Sequence, residues 1–250
     1  MTALSSNMGP CSRMHGLPAL HRRPYGGTVA NGAHIWLGSN CMQVSGAAQP
    51  VVSGSTLLAL CTLMAGADGN GGIFVRAKRA GVAVAFISGA AEGITIAYAS
   101  GLTDINVTYN NGTSTALTIE KLIRGHAEAD KLIAVQHQGT GASSPAATSL
   151  AQVVDILPLG IADREINATG GAVTLTPDVV FSRNDFGDGT GLLVSDANLP
   201  TEGGYVALTD DASCSALPAS QCDIMAPCVG VNESAGGATG IYFIDLGRAE

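Results

Sequence analysis

The chain has 250 residues and a net charge of −8, with 13% charged and 4% aromatic residues. Its apolar fraction of 46% is that of a globular protein, which excludes an intrinsically disordered chain. The longest apolar run, residues 57–65, is interrupted by Thr62 and is too short to span a bilayer. We therefore expect a soluble protein without a membrane partner, with enough chain for one large or two modest domains.

Basic and acidic residues are unevenly distributed. Residues 1–91 contain six basic side chains and one acid, Asp68, whereas residues 92–250 contain six basic and nineteen acidic side chains. The first segment therefore carries about +5 and the second about −13. A basic segment ahead of an acidic body is typical of an element that docks on an acidic surface. Nucleic acid is not favoured as that surface, because the basic residues are dispersed and do not alternate with aromatic residues.

The six cysteines show no pattern of a metal site. None belongs to a CxxC pair, and no cysteine–histidine spacing fits zinc. The N-terminal residues lack the apolar segment of a secretory signal. We therefore expect buried free thiols and a protein that stays inside the cell or leaves it within a particle. One disulfide among Cys214, Cys222 and Cys228 stays an alternative for an oxidising compartment.

Residues 1–27 predict an extended N-terminal arm. Pro10, Pro18 and Pro24 interrupt any helix, and two glycines at 26–27 end the segment. Arms of this composition often become ordered only against a neighbouring subunit. The alternative is a terminus without a fixed conformation.

Residues 28–91 predict a succession of short strands. The candidate strands are residues 29–37, with a turn at Asn31-Gly32, and residues 41–44, 51–52, 56–64, 73–78 and 82–87. Strand 73–78 alternates apolar residues with Phe74, Arg76 and Lys78, which predicts a half-exposed strand. The glycine-rich segment 68–72 predicts a hairpin turn, since it lacks the Lys-Ser/Thr of a phosphate-binding loop.

Residues 92–145 predict a small ββαβ lobe. Two strands with period-2 alternation place their bulky residues on one face. These residues are Ile94, Ile96, Tyr98, Ile105, Val107 and Tyr109. Thr118 is the predicted N-cap of the following helix, with Glu120 in its first turn to complement the helix dipole. Residues 132–135 are the predicted returning strand, and residues 139–145 a flexible loop.

Residues 146–250 predict further short strands at regular spacing. The candidates are residues 153–157, 172–176, 179–183, 192–194, 205–208, 228–231 and 241–246. Such spacing is typical of a β-sandwich or barrel. The predicted fold is mainly β: a β-sandwich or barrel-like body of residues 28–91 and 146–250, with the ββαβ (α+β) lobe of residues 92–145 inserted into it.

Two groups of segments resemble virion proteins of tailed bacteriophages. GITIAYAS, DINVTY and TALTIEKLIRGHAEADKLIAVQHQGTG follow the order of a small module in those proteins, namely two strands, a Thr-led helix, a strand and a Gly-rich loop. The chain departs from the module at Gly125-His126, where the module's helix is Ala-rich. LPTEGGYVALTD, PCVGVNES and GGATGIYFIDLG are similar to segments of capsid decoration proteins. The resemblance implies a role in virion assembly.

No motif indicates a catalytic or metal centre. Asn184, Asp185 and Asp188 lack the full spacing of a calcium loop, so we interpret this segment as a turn. No sequence pattern places a serine or cysteine beside a histidine; the histidines are His15, His21, His34, His126 and His137. We therefore expect a protein that is not an enzyme and needs no cofactor or metal. A cysteine–histidine pair formed only in the folded chain stays an alternative.

The first functional hypothesis is a non-enzymatic virion structural protein that binds and stabilises a phage capsid lattice, as a decoration or cement protein. The resemblance implies the major capsid protein as partner, a homotrimer, and a location in the virion after assembly in the host cytoplasm. The predicted capsid-docking residues are Arg13, Arg22, Arg23 and Tyr25 of the arm.

Two other hypotheses stay open. One is a structural component of the phage tail, neck or fibre base. The other is a β-rich carbohydrate-binding adhesin module, which clusters of exposed tryptophan and tyrosine would favour. The chain contains a single tryptophan, Trp36.

Overall fold

A computed structural model describes most of the first 174 residues and several later strands. The described residues are 22–24, 27–37, 39–52, 54–64, 66, 68–162, 164–174, 180–182, 193–194, 205–208, 213–216, 228–232 and 244–245. The chain divides into two compact units. Unit 1 comprises Met1–Gly54 and Leu157–Glu250, and unit 2 comprises Ser55–Ile156. The protein is mainly β, which confirms the predicted fold class.

The elements follow one another in this order. The first are β1 (Arg22–Pro24), β2 (Thr28–Val29), β3 (His34–Ile35), β4 (Asn40–Val44), β5 (Ala47–Pro50), α1 (Gly54–Leu60), β6 (Thr62–Met64) and β7 (Ile73–Ala77). The next are β8 (Val82–Gly89), β9 (Gly93–Ala99), β10 (Leu102–Asn110), α2 (Ala116–Gly125), α3 (Ala129–Leu132), β11 (Ile133–His137) and β12 (Ala151–Gln152). The last are β13 (Ile156–Ala162), β14 (Ile166–Asn167), β15 (Val173–Thr174), β16 (Val180–Ser182), β17 (Leu193–Val194), β18 (Tyr205–Leu208), β19 (Ser213–Ala216), β20 (Cys228–Asn232) and β21 (Ile244–Asp245).

Unit 1 is built from sheets. A seven-stranded sheet has the order β1-β16-β13-β4-β5-β2-β15, and smaller sheets have the orders β14-β3 and β17-β19-β18-β20-β21. β4 and β5 form a hairpin whose turn residues, Ser45 and Gly46, have φ angles of 48° and 81°. Two positive φ angles give the turn the twist of the flanking strands. The described core of this unit comprises Val29, Ile35, Cys41, Ala48, Ala162, Ile166 and Ala168.

Part of the predicted arm belongs to a sheet. Arg22–Pro24 form β1, which pairs antiparallel with Val180–Ser182 of β16 at the edge of the seven-stranded sheet. Pro24 obscures this strand in the sequence, because proline cannot donate to a ladder of hydrogen bonds. An edge strand tolerates proline, since one side of its backbone needs no partner within the sheet.

The apolar run after residue 55 is a helix followed by a strand, so the predicted strand 56–64 is wrong. α1 buries Leu57 completely and leaves Leu60 36% exposed. Cys61, four residues after Leu57, lies on the buried side, and its thiol donates to the Leu57 carbonyl. A short, uninterrupted apolar run gives no periodicity that separates a helix from a strand.

Unit 2 contains two sheets and α2, which share a hydrophobic core. One sheet has the order β12-β8-β10-β9, in which β10 pairs parallel with β8 and antiparallel with β9. The other has the order β11-β7-β6, with antiparallel pairs. Both sheets and α2 contribute buried residues to the core, among them Val75, Phe86, Ile105, Val107, Tyr109, Ile119, Ile123 and Val135. None of the helices in the described part of the chain is long and apolar enough to cross a membrane.

The ββαβ order within residues 92–145 is present as β9, β10, α2 and β11, with the additional short helix α3. The compact unit that contains these elements is larger, since it extends over residues 55–156. It includes β7 and β8 because β11 pairs with β7 and β10 pairs with β8. Core-facing residues of β10 are buried as the alternation predicts.

The predicted start of α2 is wrong by three residues. Thr115 is the N-cap, and its hydroxyl accepts a hydrogen bond from the Thr118 N–H at 3.2 Å. Thr118 is the N3 residue, and its hydroxyl accepts in return from the Thr115 N–H at 2.8 Å. This reciprocal pair is a capping box in which threonine replaces the usual Glu or Gln. Glu120 therefore lies beyond the first turn.

The glycine-rich turn before β7 closes the β6–β7 hairpin, as predicted. Residues 139–145, which we predicted as a flexible loop, are hydrogen-bonded to this turn. Asn70 Oδ1 accepts from the Thr140 N–H at 3.0 Å, and Ser143 Oγ donates to Asp68 Oδ2 at 2.8 Å. The Asn70 N–H and the Ser143 hydroxyl, both donating to Asp68, hold the pKa of its carboxyl below the usual range.

The prediction that β7 is half exposed is wrong. Arg76 is only 4% exposed, although it alternates with apolar residues. Its Nη1 donates to the carbonyl of Ile156 at 2.9 Å. The guanidinium thus finds a backbone acceptor inside unit 2, which offsets part of its desolvation. Phe74 is the partly exposed residue of this strand.

The described cysteine side chains, Cys41 and Cys61, are buried thiols that form no disulfide, as predicted. Burial raises the pKa of Cys61 to about 11, against a smaller lowering by the Arg76 charge. Since the thiolate is the reactive form, we expect alkylation of Cys61 at pH 8 to be much slower in the native protein than in urea. An unfolded thiol loses its proton at about pH 8.5, so this residue's contribution to stability should decline as the pH rises from there to about 11.

Peptide mass spectrometry after timed alkylation measures the rate at Cys61 directly. The urea-unfolded chain at the same pH provides the control rate. Equal rates in the native and unfolded protein would contradict the burial of this thiol.

Candidate functional site

The structure places only part of the predicted docking set. Arg13 and Tyr25 lie outside the described residues. Arg22 and Arg23 lie at adjacent positions of β1, opposite Ser182 and Phe181 of β16. Residues 184–188, which the sequence predicts as a turn without a metal, also lie outside the described residues.

Exposed apolar side chains identify another surface, on unit 2. Tyr98 at the end of β9 is 58% exposed, and Leu102 at the start of β10 is 45% exposed. Arg79, Glu128 and Lys131 lie beside Tyr98. We refer to Arg79, Tyr98, Leu102, Glu128 and Lys131 as the Tyr98 surface.

Polar contacts hold Tyr98 in place despite its exposure. The guanidinium carbon of Arg79 lies 5.6 Å from the centroid of the Tyr98 ring, in cation–π contact. Arg79 also donates to Thr103 Oγ1, which fixes the guanidinium beside β10. The Tyr98 hydroxyl donates to Glu128 Oε1, and this hydrogen bond raises the pKa of Tyr98. The ring is thereby pre-oriented, which lowers the conformational entropy that a partner must offset on binding.

Two open depressions border the Tyr98 ring. One, of about 430 Å³, is lined by Arg79, Tyr98 and the β9–β10 turn, including Leu102. The other, of about 480 Å³, lies between Tyr98 and α3, where Lys131 contributes to its wall. Both are shallow and open to solvent. They fit protruding side chains of a protein partner better than an enclosed small molecule.

The backbone next to this surface has a free edge. β9 is the last strand of its sheet. The Thr103 N–H donates to the Gly81 carbonyl at 2.8 Å, on the β8 side, so Thr103 and its partner Tyr98 form a pair without mutual backbone hydrogen bonds. The N–H and C=O of Tyr98 therefore point away from β10. Because this direction alternates along a strand, those of Ile94 and Ile96 do so as well.

Within the described part of the chain, the edge of β9 lacks the usual protection against pairing. Its sequence, GITIAYA, contains no charged residue and no proline. Natural edge strands usually carry lysine, proline or a bulge, or are very short. Across residues 22–174, as far as they are described, no segment pairs with this edge. Seven residues of unprotected edge are a template for an incoming strand.

Glu120 forms a second cluster of ionisable groups. Its side chain is 6% exposed and forms an ion pair with Arg124. Its Oε2 accepts from the His137 N–H at 2.7 Å and lies 2.5 Å from His137 Nδ1. Arg124 also donates to the Val135 carbonyl at 3.3 Å. The ion pair lies within α2, whereas the contacts with His137 and Val135 join α2 to β11, so the cluster fixes the helix on the strand.

The other described histidines, His126 and His34, form separate contacts of their own. His126 Nδ1 accepts from the Ala129 N–H at 3.2 Å and caps the start of α3. In unit 1, His34 stacks on Trp36 with ring centroids 3.7 Å apart and contacts Glu165 at 2.8 Å. Among the side chains that the structure describes, no three His, Cys, Asp or Glu residues are arranged to hold a metal ion.

Sequence reasoning missed the Tyr98 surface. The alternation in β9 places Tyr98 on the same face as Ile94 and Ile96, and these two residues pack partly against the core. Tyr98 lies beyond the end of that core, where Arg79 and Glu128 approach from distant parts of the chain. No local pattern in the sequence encodes that approach.

The chemistry of the Tyr98 surface suits binding to a protein. Tyrosine and arginine are the residue types that contribute most to affinity at protein interfaces, and a surrounding rim excludes water. Comparison with known protein families, curated proteins and solved structures gives no match to this chain. The Tyr98 surface and the adjoining β9 edge are therefore the candidate functional site.

Proposed function

We propose that the protein is a non-enzymatic structural protein of a tailed-phage virion, which binds and stabilises the capsid lattice as a decoration or cement protein. The observation that carries this proposal is the Tyr98 surface beside an unprotected strand edge. Both features serve assembly with other protein chains. Residues 93–141 and the C-terminal segments resemble virion proteins, and for this reason we propose that the assembly is a virion.

The charge distribution supports the same role. The basic residues of the first 91 positions precede an acidic remainder of about −13. Arg13, Arg22, Arg23 and Tyr25 are the proposed contacts with the major capsid protein, and opposite charges on that protein would steer the encounter. Copies of the chain would associate with one another on the lattice, in the trimers that the resemblance implies.

Repetition allows each contact to be modest. A specific protein interface buries about 1,200–2,000 Å² in total. On a lattice, each copy binds several neighbours at once, so contacts that are weak alone give a stable layer. A shell bound in this way resists outward pressure because adjacent capsid subunits cannot separate without breaking contacts to the same bound protein.

Sedimentation of the purified protein with empty capsids and, separately, with tails of the virus that encodes it tests the proposal. We expect the protein in the capsid pellet. Recovery with tails alone would replace the proposal by a tail, neck or fibre-base role. Recovery with neither particle, together with binding to glycans, would replace it by the adhesin hypothesis.

Leu102→Ser is expected to lower the amount of protein retained on capsids by roughly five- to tenfold, because loss of one apolar anchor costs about 1–1.4 kcal/mol of binding. Leu150→Ser is the matched control. Leu102 and Leu150 are the same residue type and are both 45% exposed, but only Leu102 belongs to the Tyr98 surface. Equal retention of the two variants would remove this surface from the binding interface.

A further inference from the structure

We infer that the β9 edge binds the β9 edge of a second copy of this chain, antiparallel and about a twofold axis at Ile96. The inference deepens the proposed function and rests on it for its biological role. The contact itself is a property of the purified protein. It would join the four-stranded sheets of two copies into one continuous sheet of eight strands.

The backbone of β9 fits this pairing. The outward N–H and C=O groups belong to Ile94, Ile96 and Tyr98, as the Thr103–Gly81 hydrogen bond requires. In a twofold pair centred on Ile96, paired residue numbers add up to 192. Ile96 then faces Ile96 of the partner, and Ile94 faces the partner's Tyr98. Each residue whose backbone N–H and C=O point away from β10 therefore lies opposite a partner residue whose backbone groups also point outward. Each of these pairs can exchange two backbone hydrogen bonds.

The side chains are self-complementary in the same register. On the core-facing side, Ile96 meets its own copy and Ile94 meets the partner's Tyr98, which is a pair of a β-branched and an aromatic residue. Such cross-strand pairs each contribute about 0.2–1 kcal/mol relative to alanine pairs. On the other face, Thr95 meets the partner's Ala97, and both are small and exposed. Neither of these two side chains is charged or bulky.

Charges next to the edge favour this orientation. Glu92, just before β9, is exposed and forms no ion pair within the described part of the chain. In the proposed register it lies opposite the partner's Ser100, diagonal to the partner's Tyr98. The partner's Arg79 stacks on that ring. A diagonal spacing of about 7–8 Å between backbones is within reach of a glutamate and an arginine side chain, and the twofold axis produces this pair twice.

A second copy fits the edge better than an arbitrary strand. In this register the free backbone groups of the two strands face each other, apolar side chains pair, and opposite charges lie close together. All three matches arise from pairing β9 antiparallel with an identical strand. A trimer formed through other surfaces would leave three such edges. Each edge could then pair with a neighbouring trimer, which gives a lattice-wide network of copies.

Disulfide trapping tests the register. Thr95→Cys and Ala97→Cys place thiols on the exposed face at positions that the proposed pair brings directly opposite each other. These residues form a pair without mutual backbone hydrogen bonds, in which Cβ atoms lie about 4.5–5.5 Å apart, close to the spacing of a disulfide. Two chains of different tagged mass, one with each substitution, are mixed and mildly oxidised.

We expect a mixed disulfide between the two variants, at least fivefold more abundant than the disulfide of either variant with itself. The unsubstituted chain, with its six native cysteines, gives the background. Absence of the mixed disulfide in protein that retains its circular dichroism spectrum would overturn the inference. So would equal trapping of all combinations, because that shows collision without a register.

Charge substitutions provide an independent measurement by analytical ultracentrifugation. Ala97→Lys places a charge on the edge and should raise the dissociation constant of the contact by roughly tenfold, whereas Ser88→Lys, exposed on β8, should leave it unchanged. Glu92→Arg should weaken the contact, and combining it with Arg79→Glu should restore part of the loss. No difference between Ala97→Lys and Ser88→Lys would contradict the inference.

These outcomes separate the two proposals. Trapping with no binding to capsids would retain the β9 contact and remove the decoration role. Binding to capsids without trapping would retain the decoration role and show that another surface joins the copies.

Discussion

Glu120→Ala is expected to lower the unfolding free energy of unit 2 by about 3 kcal/mol, the lower end of the range for breaking a buried ion pair. The lower end applies because Arg124, which would lose its partner, is 29% exposed and can still reach water. The substitution also leaves the His137 N–H without its acceptor. Since domains are stabilised by only about 5–15 kcal/mol in total, this loss should be visible as loosening of α2 from β11.

Lys121→Ala is the matched control for this prediction. Lys121 is the next residue of α2 and is exposed. Its replacement does not weaken the helix, because the helix propensity of alanine is at least as high as that of lysine. Amide hydrogen exchange in residues 133–137 measures the effect within unit 2. Fluorescence of Trp36, the single tryptophan, reports on unit 1 and should not change. Unchanged exchange in Glu120→Ala would contradict a structural role for the cluster.

Phe86→Ala is expected to destabilise unit 2 by about 3–5 kcal/mol, the usual loss for a fully buried aromatic side chain. Phe86 is 0% exposed on β8, opposite Val107 of β10 in the parallel pair, and belongs to the core of this unit. Its loss leaves a cavity behind the sheet whose outer strand is β9. We therefore expect faster hydrogen exchange in β10 and weaker pairing at the β9 edge.

Ile87→Ala is the control that separates the loss of core packing in Phe86→Ala from the lower strand propensity of alanine. Ile87 follows Phe86 on the same strand, faces the opposite way and is 43% exposed. Its replacement should cost less than about 1 kcal/mol, the span of strand propensities. Urea unfolding monitored by hydrogen exchange of residues 102–110 compares the variants. A similar loss for both would contradict the assignment of the core to the Phe86 side of the sheet.

The sequence predicts those elements whose burial has a clear period. β10 alternates buried and partly exposed residues over its whole length, and so its position and its buried face follow from the pattern. The run that contains α1 is apolar without a period, so it does not distinguish a helix from a strand. β5 and β19 consist of residues such as Ala, Gln, Ser and Cys, which give little strand signal, and they form because neighbouring strands pair with them.

Roles that depend on contacts between residues distant in the chain cannot be predicted from local sequence patterns. The sequence predicts that Glu120 complements the helix dipole, but the residue lies beyond the first turn of α2, and its partners are Arg124 and His137. His137 comes into reach only when β11 pairs with β7. The Tyr98 surface likewise requires Arg79 and Glu128 at one ring. That β9 is an edge follows from the parallel pairing of β8 with β10, which local patterns do not encode.

We propose that this protein occupies equivalent sites on a capsid lattice and binds there through the Tyr98 surface and the edge of β9. The most direct measurement is the number of copies bound per empty capsid as the protein concentration increases. We predict saturation at a fixed number that matches the symmetry of the lattice, and a lower apparent affinity for Leu102→Ser with the same saturation number. Absence of binding, or binding that rises without saturating, would contradict the claim.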